Sequence, residues 1–327
     1  MFMSDALWGL VYFFSLCCSL YLLVKATDKF VEGSVALALY WKVKPMLIGL
    51  TLVAMGTSLP EAVVAIIAGY MGLGQMAVGN VLGSNIANIG LALGFACLLG
   101  YIHFEKKVLR LEIPILLLAT LSAGLLLLDY ELNKYDASLL FLLWVLVLIV
   151  LIKMYRRSDV DLLEDVEEAK TLRYKQAWLY FVFGLLLLVG SARWLVWSAE
   201  SLARMLGMSE LFIGLTIIAI GTSLPEIMVS VISTRKGHYD VALVNVIGSD
   251  IFNTLVVLAL SAMFGAIAVD SEVILRDYAT NLLLTLVLLL ALLHQSRKNY
   301  RLGRKMGLFF IIVYFLWLFR ASAVSLL

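Results

Sequence analysis

The stretch Gly56-Thr57-Ser58-Leu59-Pro60-Glu61 lies inside a long apolar segment, and it returns 165 residues later as Gly221-Thr222-Ser223-Leu224-Pro225-Glu226. A carboxylate at the centre of a bilayer costs about 3 kcal/mol or more, and the proline beside it removes a helix hydrogen bond. One such event could be a packing accident. Two, at matching positions in the two halves of a chain, point to an ion site between repeats. Sliding the sequence by 165 aligns 48–93 with 213–258 without a gap, and 22 of the 46 positions are identical. Shared apolar composition raises chance matches, but it does not put Gly, Thr, Ser, Pro, Glu and Asn in register.

Composition fixes the class. The 327 residues are 63% hydrophobic and 15% charged, with a mean hydropathy of +1.00, where a soluble domain carries about 25% charge and about 45–50% apolar residues. Runs such as 115–128, 139–152 and 282–293, with their apolar flanks, are long enough to cross a bilayer as helices and too long for barrel strands. The reading is all-α: a polytopic membrane protein of ten transmembrane helices in two inverted five-helix repeats. The spans run near 7–27, 46–70, 76–99, 109–128 and 137–154, then 176–198, 211–234, 240–266, 278–294 and 305–322. Stretches 26–39 and 192–206 read as amphipathic extensions of the first and sixth spans. The domains are 1–155, the first repeat with its motif region 46–99; a short cytoplasmic linker, 156–175; and 176–327, the second repeat with its motif region 211–266.

Orientation follows from Lys and Arg in short loops. The odd-numbered loops hold 18 and the even-numbered loops and termini 4, which places both termini on the non-cytoplasmic side. Five spans per half make the second half enter from the opposite face, so the repeats are inverted. In that architecture, substrate sites form at the midplane from broken helices.

The chemistry sits in two constellations per half. Pro60 and Pro225 each kink a span and free backbone carbonyls beside Thr57, Ser58 and Glu61, or Thr222, Ser223 and Glu226. Irregular backbone at this depth is tolerated where protein or a water-filled cavity surrounds it. In the following spans, Ser84 and Asn88, and likewise Ser249 and Asn253, are four apart and share a helix face. Gly83 and Gly248 are expected to let another helix backbone approach. Glu61 to Asn88 and Glu226 to Asn253 are both 27 residues. Carboxylates, hydroxyls and carbonyls are oxygen ligands that suit hard cations, Ca²⁺ best, since it takes about six to eight oxygens in flexible geometry.

These duplicated GTSLPE segments, each followed by a G(N)-x-x-G-S-N/D-I-x-N segment, resemble the α-repeats of the sodium/calcium exchanger family, within the cation/calcium antiporter superfamily and of its prokaryotic type. The resemblance implies electrogenic exchange of Ca²⁺ against Na⁺ by alternating access. By position it carries ion ligation to Thr57, Ser58, Glu61, Ser84 and Asn88, and to Thr222, Ser223, Glu226, Ser249 and Asn253. Ala54 and Ala219 match positions that offer a backbone carbonyl. Some relatives carry Asp where Asn253 stands, which weakens a potassium role here. Asp250 occupies the place of Asn85 in the first repeat, either beside the pocket or facing a neighbouring helix, and is a further candidate.

The function expected is therefore a secondary antiporter in an inner membrane, with Ca²⁺ and Na⁺ as transported partners, no cofactor, and no obligate protein partner. The alternative exchanges Ca²⁺ or another cation for H⁺ with the same carboxylates; the paired Ser and Asn positions favour Na⁺. Motion is expected as rocking or sliding of 7–39 and 178–206 against the other eight spans. A channel filter is normally a ring of several subunits or repeats. An intramembrane enzyme lacks its ingredients: no His lies in a span near Ser58 or Ser223, and neither Glu has a second acid beside it. A net charge of +2 calls for no nucleic acid. Asp159, Asp161, Glu164, Asp165, Glu167 and Glu168 read as a solvated linker, and Asp28 and Arg193 as helix-packing or interface residues.

Overall fold

Apolar side chains face outward along most of the molecule while serines, asparagines and acids line its middle, the reverse of a soluble fold. Leu125, Phe319 and Leu275 are 70%, 74% and 73% exposed, whereas Glu61, Glu226, Asn88 and Asn253 are fully buried. The computed structural model describes residues 2–156, 172–207 and 219–324. The acidic linker run 159–168 and the opening of the seventh expected span lie outside the described residues.

The first helix, α1 (Phe2–Tyr40), is continuous through the expected extension. It is followed by α2 (Pro45–Thr57) and α3 (Leu59–Tyr70), which form one span bent by 43° at Ser58. Next come α4 (Gly74–Leu99) and α5 (Val108–Leu126), then α6 (Lys134–Arg156). In the second half α7 (Tyr174–Met205) also runs unbroken through its extension. It precedes α8 (Ala219–Thr222), α9 (Leu224–Arg235), α10 (Tyr239–Ala262), α11 (Val273–Ser296) and α12 (Arg304–Val324). Among the described residues, seven helices are long and apolar enough to cross a bilayer, or eight when the bent pair counts as one span. The chain is an integral membrane protein.

Burial separates the helices by role. The most apolar window of α10 is wholly buried and that of α4 is 83% buried, while that of α1 is only 11% buried. Apolar packing divides in two. A large cluster joins α2 to α6 and α9 to α12, and a second one joins α1 to α7; among the described residues its buried members from the remainder are Ile48, Val53, Val229 and Ile232, with Leu52, Leu224 and Met228 packed against it. Helices α1 and α7 run antiparallel in close contact. Ser15 meets Ser198 at 2.8 Å, Phe30 meets Phe181 at 5.3 Å between ring centres, and Tyr40 meets Tyr174 at 5.2 Å. The contact needs glycine on both sides: a Cβ on Gly184 would stand 2.7 Å from the Phe30 nitrogen, and one on Gly33 2.9 Å from the Ala177 carbonyl.

Two small antiparallel ribbons clamp the ends. Strand β1 (Ile102–His103) pairs with β4 (Arg301–Leu302), and β2 (Glu131–Leu132) pairs with β3 (Ile267–Ala268). Since β1 and β2 flank α5, the two ribbons lie at opposite ends of that helix. Wider π-turns occur at matching places in the halves, Asn88–Leu93 with Asn253–Val257, and Val108–Glu112 with Val273–Tyr278. Such turns cluster at functional sites, and two of these open on the asparagines singled out above.

Candidate ion-binding site

The kink is built at the serine. Ser58 occupies the N-cap of α3 with φ −86° and ψ 9°, and Ser223 caps α9 with φ −89° and ψ 7°. Pro60 and Pro225 sit in the first helical positions, where a missing N–H is harmless. An N-cap serine ordinarily accepts from a backbone N–H of the first turn; neither of these does. The Ser58 hydroxyl instead donates across the molecule to Glu226 Oε1 at 2.9 Å. The equivalent hydroxyl of Ser223 is buried and has no partner.

Other bonds also cross between the halves. Asn88 Nδ2 donates to Asp250 Oδ1 at 3.0 Å and Asn85 Nδ2 to Thr254 Oγ1 at 2.9 Å. The Thr57 and Ser249 hydroxyls lie 3.5 Å apart. Ser84 stands beside Glu61, and Glu61 and Glu226 are near enough to feel each other's charge. Asp250, beside the pocket, in turn feels Glu226. Gly248 allows the packing behind this, for a Cβ there would meet the Leu50 carbonyl and lie 2.8 Å from the Ala54 Cβ. Gly83 corrects the expectation: it faces the Trp317 ring at 3.5 Å rather than a helix backbone.

What remains open in this cluster is its oxygens. Both carboxylate oxygens of Glu61, Glu226 Oε2, Asp250 Oδ2, Ser84 Oγ, Ser223 Oγ, Asn88 Oδ1 and both amide atoms of Asn253 are buried without a hydrogen bond. Buried polar atoms are nearly always satisfied. All but the Asn253 Nδ2 are oxygens able to accept, and this concentration of orphan oxygens fits a site whose partner is a cation. Among the described residues no three His, Cys, Asp or Glu side chains form a metal-binding group; the acids of this cluster are Glu61, Glu226 and Asp250, set among neutral oxygens.

Not every expected ligand faces the centre. Thr222 is half-buried on the wall of a side cavity. Ala219 opens α8. The Ala54 carbonyl accepts the Ser58 N–H at 3.1 Å and the Thr57 hydroxyl at 3.2 Å, so Thr57 must turn away before that oxygen can serve an ion. A further buried acid pair escaped the motif reading: Glu112, and Asp277 at the equivalent position. Glu112 accepts from the Tyr155 hydroxyl, while Asp277 accepts from Trp317 Nε1 at 2.8 Å and from Arg276. Their 165-residue spacing was the available signal, hidden because the sequence around them differs.

The family described as "Sodium/calcium exchanger protein" matches residues 11–153 and 176–323. The chain belongs to that family. It is 39% identical to the "Putative antiporter CaxA" of Alkalimonas amylolytica, covering 90% of this chain and 93% of that protein. It is 36% identical to the "Inner membrane protein YrbG" of Escherichia coli (strain K12), covering 93% and 94%. The "Sodium/calcium exchanger MaX1" of Methanosarcina acetivorans is 30% identical, covering 86% and 91%. The fold superposes on the sodium-calcium exchanger NCX_Mj soaked with 2.5 mM Na⁺ and 10 mM Sr²⁺, with a TM-score of 0.81 and 28% identity over 94% of this chain and 98% of that one. The family expected from the GTSLPE repeats is thus the family found.

Proposed function

We propose that this exchanger-family protein is a secondary active antiporter that moves Ca²⁺ against Na⁺ by alternating access, binding both ions at the buried cluster between its halves. The observation that carries the reading is the arrival of Glu61 and Glu226 from opposite halves among oxygens that have no other partner. Two carboxylates balance one divalent cation. Ser58, Ser84, Asn88, Thr57, Ser223, Ser249 and Asn253 supply neutral oxygens, with Thr222 and the carbonyls of Ala54 and Ala219 joining as the hinges move. An empty cage leaves two carboxylates uncompensated in low dielectric, so ions leave only in exchange for others.

We read the architecture as ten spans in two inverted repeats, divided at 1–155, 156–175 and 176–327. The antiparallel contact of α1 with α7 supports it, since these are equivalent helices. So do the ribbons: β3 is the counterpart of β1 at a shift of 165, yet the two lie at opposite ends of α5. The separate apolar cluster of α1 and α7 supports their moving as a pair against the rest. An inner membrane, as in the name of the E. coli relative, with both termini non-cytoplasmic, fits the Lys and Arg bias.

The test is radiolabelled Ca²⁺ uptake into proteoliposomes loaded with Na⁺ and diluted into Na⁺-free buffer. A parallel set carries only a pH gradient, and Glu61→Gln and Glu226→Gln serve as controls. Uptake driven by Na⁺ and abolished in both variants is expected. Uptake driven only by the pH gradient would make H⁺ the counter-ion, and uptake persisting in both variants would remove the acidic pair from the site.

A further inference from the structure

A polar stripe runs along one half of the molecule and has no equivalent in the other. On α9, Ser230, Ser233 and Thr234 follow Glu226 at steps of four, seven and eight, which keeps them on one helix face. Ser230 and Ser233 are fully buried and Thr234 nearly so. Across from them on α10 stands Asn245, also fully buried. At a shift of 165 the three α9 positions fall on Ala65, Ala68 and Gly69 of α3, so the matching face of the first half carries no side-chain oxygen there. Asn245 keeps its type, as Asn80.

Thr234 is satisfied locally, its hydroxyl donating to the Ser230 carbonyl at 2.8 Å. The others are not. Ser230 Oγ lies 3.4 Å from the Ala242 carbonyl and 3.4 Å from Asn245 Nδ2. Good O–H···O bonds run about 2.5–3.0 Å and N–H···O bonds about 2.7–3.2 Å, so both contacts are poor as interhelical hydrogen bonds. Ser233 Oγ and Asn245 Oδ1 are buried with no hydrogen bond at all, and polar atoms so placed need a partner. The spacing points to its nature. Oxygens held about 2.3–2.6 Å from an ion, at right angles about it, stand about 3.3–3.7 Å apart. That is the separation Ser230 keeps from the Ala242 carbonyl. Half a turn of the Asn245 amide brings its unpartnered Oδ1 to the place of Nδ2.

We propose that Ser230, Asn245 and the Ala242 carbonyl, with Ser233 one turn beyond, form a second cation site, for a single monovalent ion of the size of Na⁺. Every ligand is neutral. Ca²⁺ affinity follows the charge of its ligands, and a divalent ion among uncharged oxygens is left uncompensated in a buried setting. A monovalent ion carries half that charge, and Glu226 stands about 6 Å away along the helix. The site shares no ligand with the cluster around Glu61 and Glu226. An ion held here waits between Glu226 and the exposed end of α9 at Arg235. The binding stands on its own; its use in exchange rests on the function proposed above.

The test is binding of radiolabelled Na⁺ to the whole detergent-solubilised protein, counted per chain with and without saturating Ca²⁺. Ca²⁺ is expected to displace Na⁺ from the central cluster and to leave one Na⁺ per chain. Ser230→Ala, which copies Ala65, should raise the half-saturating Na⁺ of that resistant fraction about tenfold or more, as loss of a buried ligand predicts. Ser230→Thr keeps the hydroxyl and should keep the affinity. Unchanged stabilisation by Ca²⁺ shows that Ser230→Ala is folded; where it does not fold, Ser233→Ala, which copies Ala68, decides by the same readout with a several-fold rise. No Ca²⁺-resistant Na⁺, or a resistant fraction that the alanine variant leaves unchanged, would overturn the site. Na⁺ binding that Ca²⁺ does not reduce but Ser230→Ala lowers by one per chain would refute calcium binding at the central cluster and leave this site standing. In Na⁺-driven Ca²⁺ uptake, Ser230→Ala should raise the Na⁺ needed for half-maximal rate several-fold with the Ca²⁺ requirement unchanged. Unaltered Na⁺ dependence would overturn the use of the site in exchange.

Discussion

Replacing the two hinge serines one at a time should expose an asymmetry that the repeated motif conceals. Ser58 donates to Glu226 Oε1 at 2.9 Å in a fully buried setting. Ser58→Ala leaves that oxygen as bare as Oε2, which already lacks a partner. Losing a buried bond to a carboxyl group costs about 1–3 kcal/mol, and more where the acceptor is ionised. Ser223 makes no such bond, so Ser223→Ala removes a hydroxyl that was already unsatisfied and should be close to neutral. With about 2 °C per kcal/mol for a chain of this size, Ser58→Ala should lower the midpoint by about 2–6 °C. Ser223→Ala should shift it by less than about 1 °C on the same scale. The assay is thermal unfolding of the detergent-solubilised protein in chelator, with Na⁺ replaced by choline, read by tryptophan fluorescence. Saturating Ca²⁺ should stabilise the unsubstituted protein further and both variants less. Equal midpoints for the two variants without ions, or a larger loss for Ser223→Ala, would refute the argument that Ser58 has exchanged its capping role for a bond to the other half.

Three further outcomes are expected. Gly248→Ala should cost about 1–3 kcal/mol through overpacking against Leu50 and Ala54, while Gly83→Ala, facing Trp317 at 3.5 Å, should be tolerated; expression and unfolding midpoints compare them. Asp250→Asn preserves an acceptor for Asn88 and removes no member of the carboxylate pair. It should weaken Ca²⁺ binding, measured by ligand-induced stabilisation, less than Glu61→Gln, which removes one of the two carboxylates proposed to balance the ion. His238, in the loop before α10, is held below the usual histidine range first by burial and then by Lys236, with Asp240 opposing. The unfolded chain then binds more protons at His238 than the folded one between the lowered value and about 6.5. Its contribution is present above that window and is lost as pH falls through it, so His238→Gln should lessen the loss of midpoint on acidification.

Much of this protein is written in its sequence, for reasons of hydration. A bilayer forces each crossing segment to satisfy its own backbone, so membrane class follows from apolar length alone. The duplication of GTSLPE, with serine, glycine and asparagine in register, named the family because apolar composition cannot produce those residues twice at one spacing. What the sequence could not contain is how two nearly identical motifs differ once folded. Ser58 and Ser223 read alike, yet one reaches Glu226 and the other is left without a partner. Gly83 and Gly248 read alike, yet one meets an indole and the other a backbone carbonyl. Thr57 turns inward and Thr222 lies on the wall of a crevice. Glu112 and Asp277 give no motif, because their partners, Tyr155 and Trp317, arrive from distant helices. Each of these depends on which atom of another helix lies within about 3 Å, a distance set by the packing of all the helices together and encoded in no one of them.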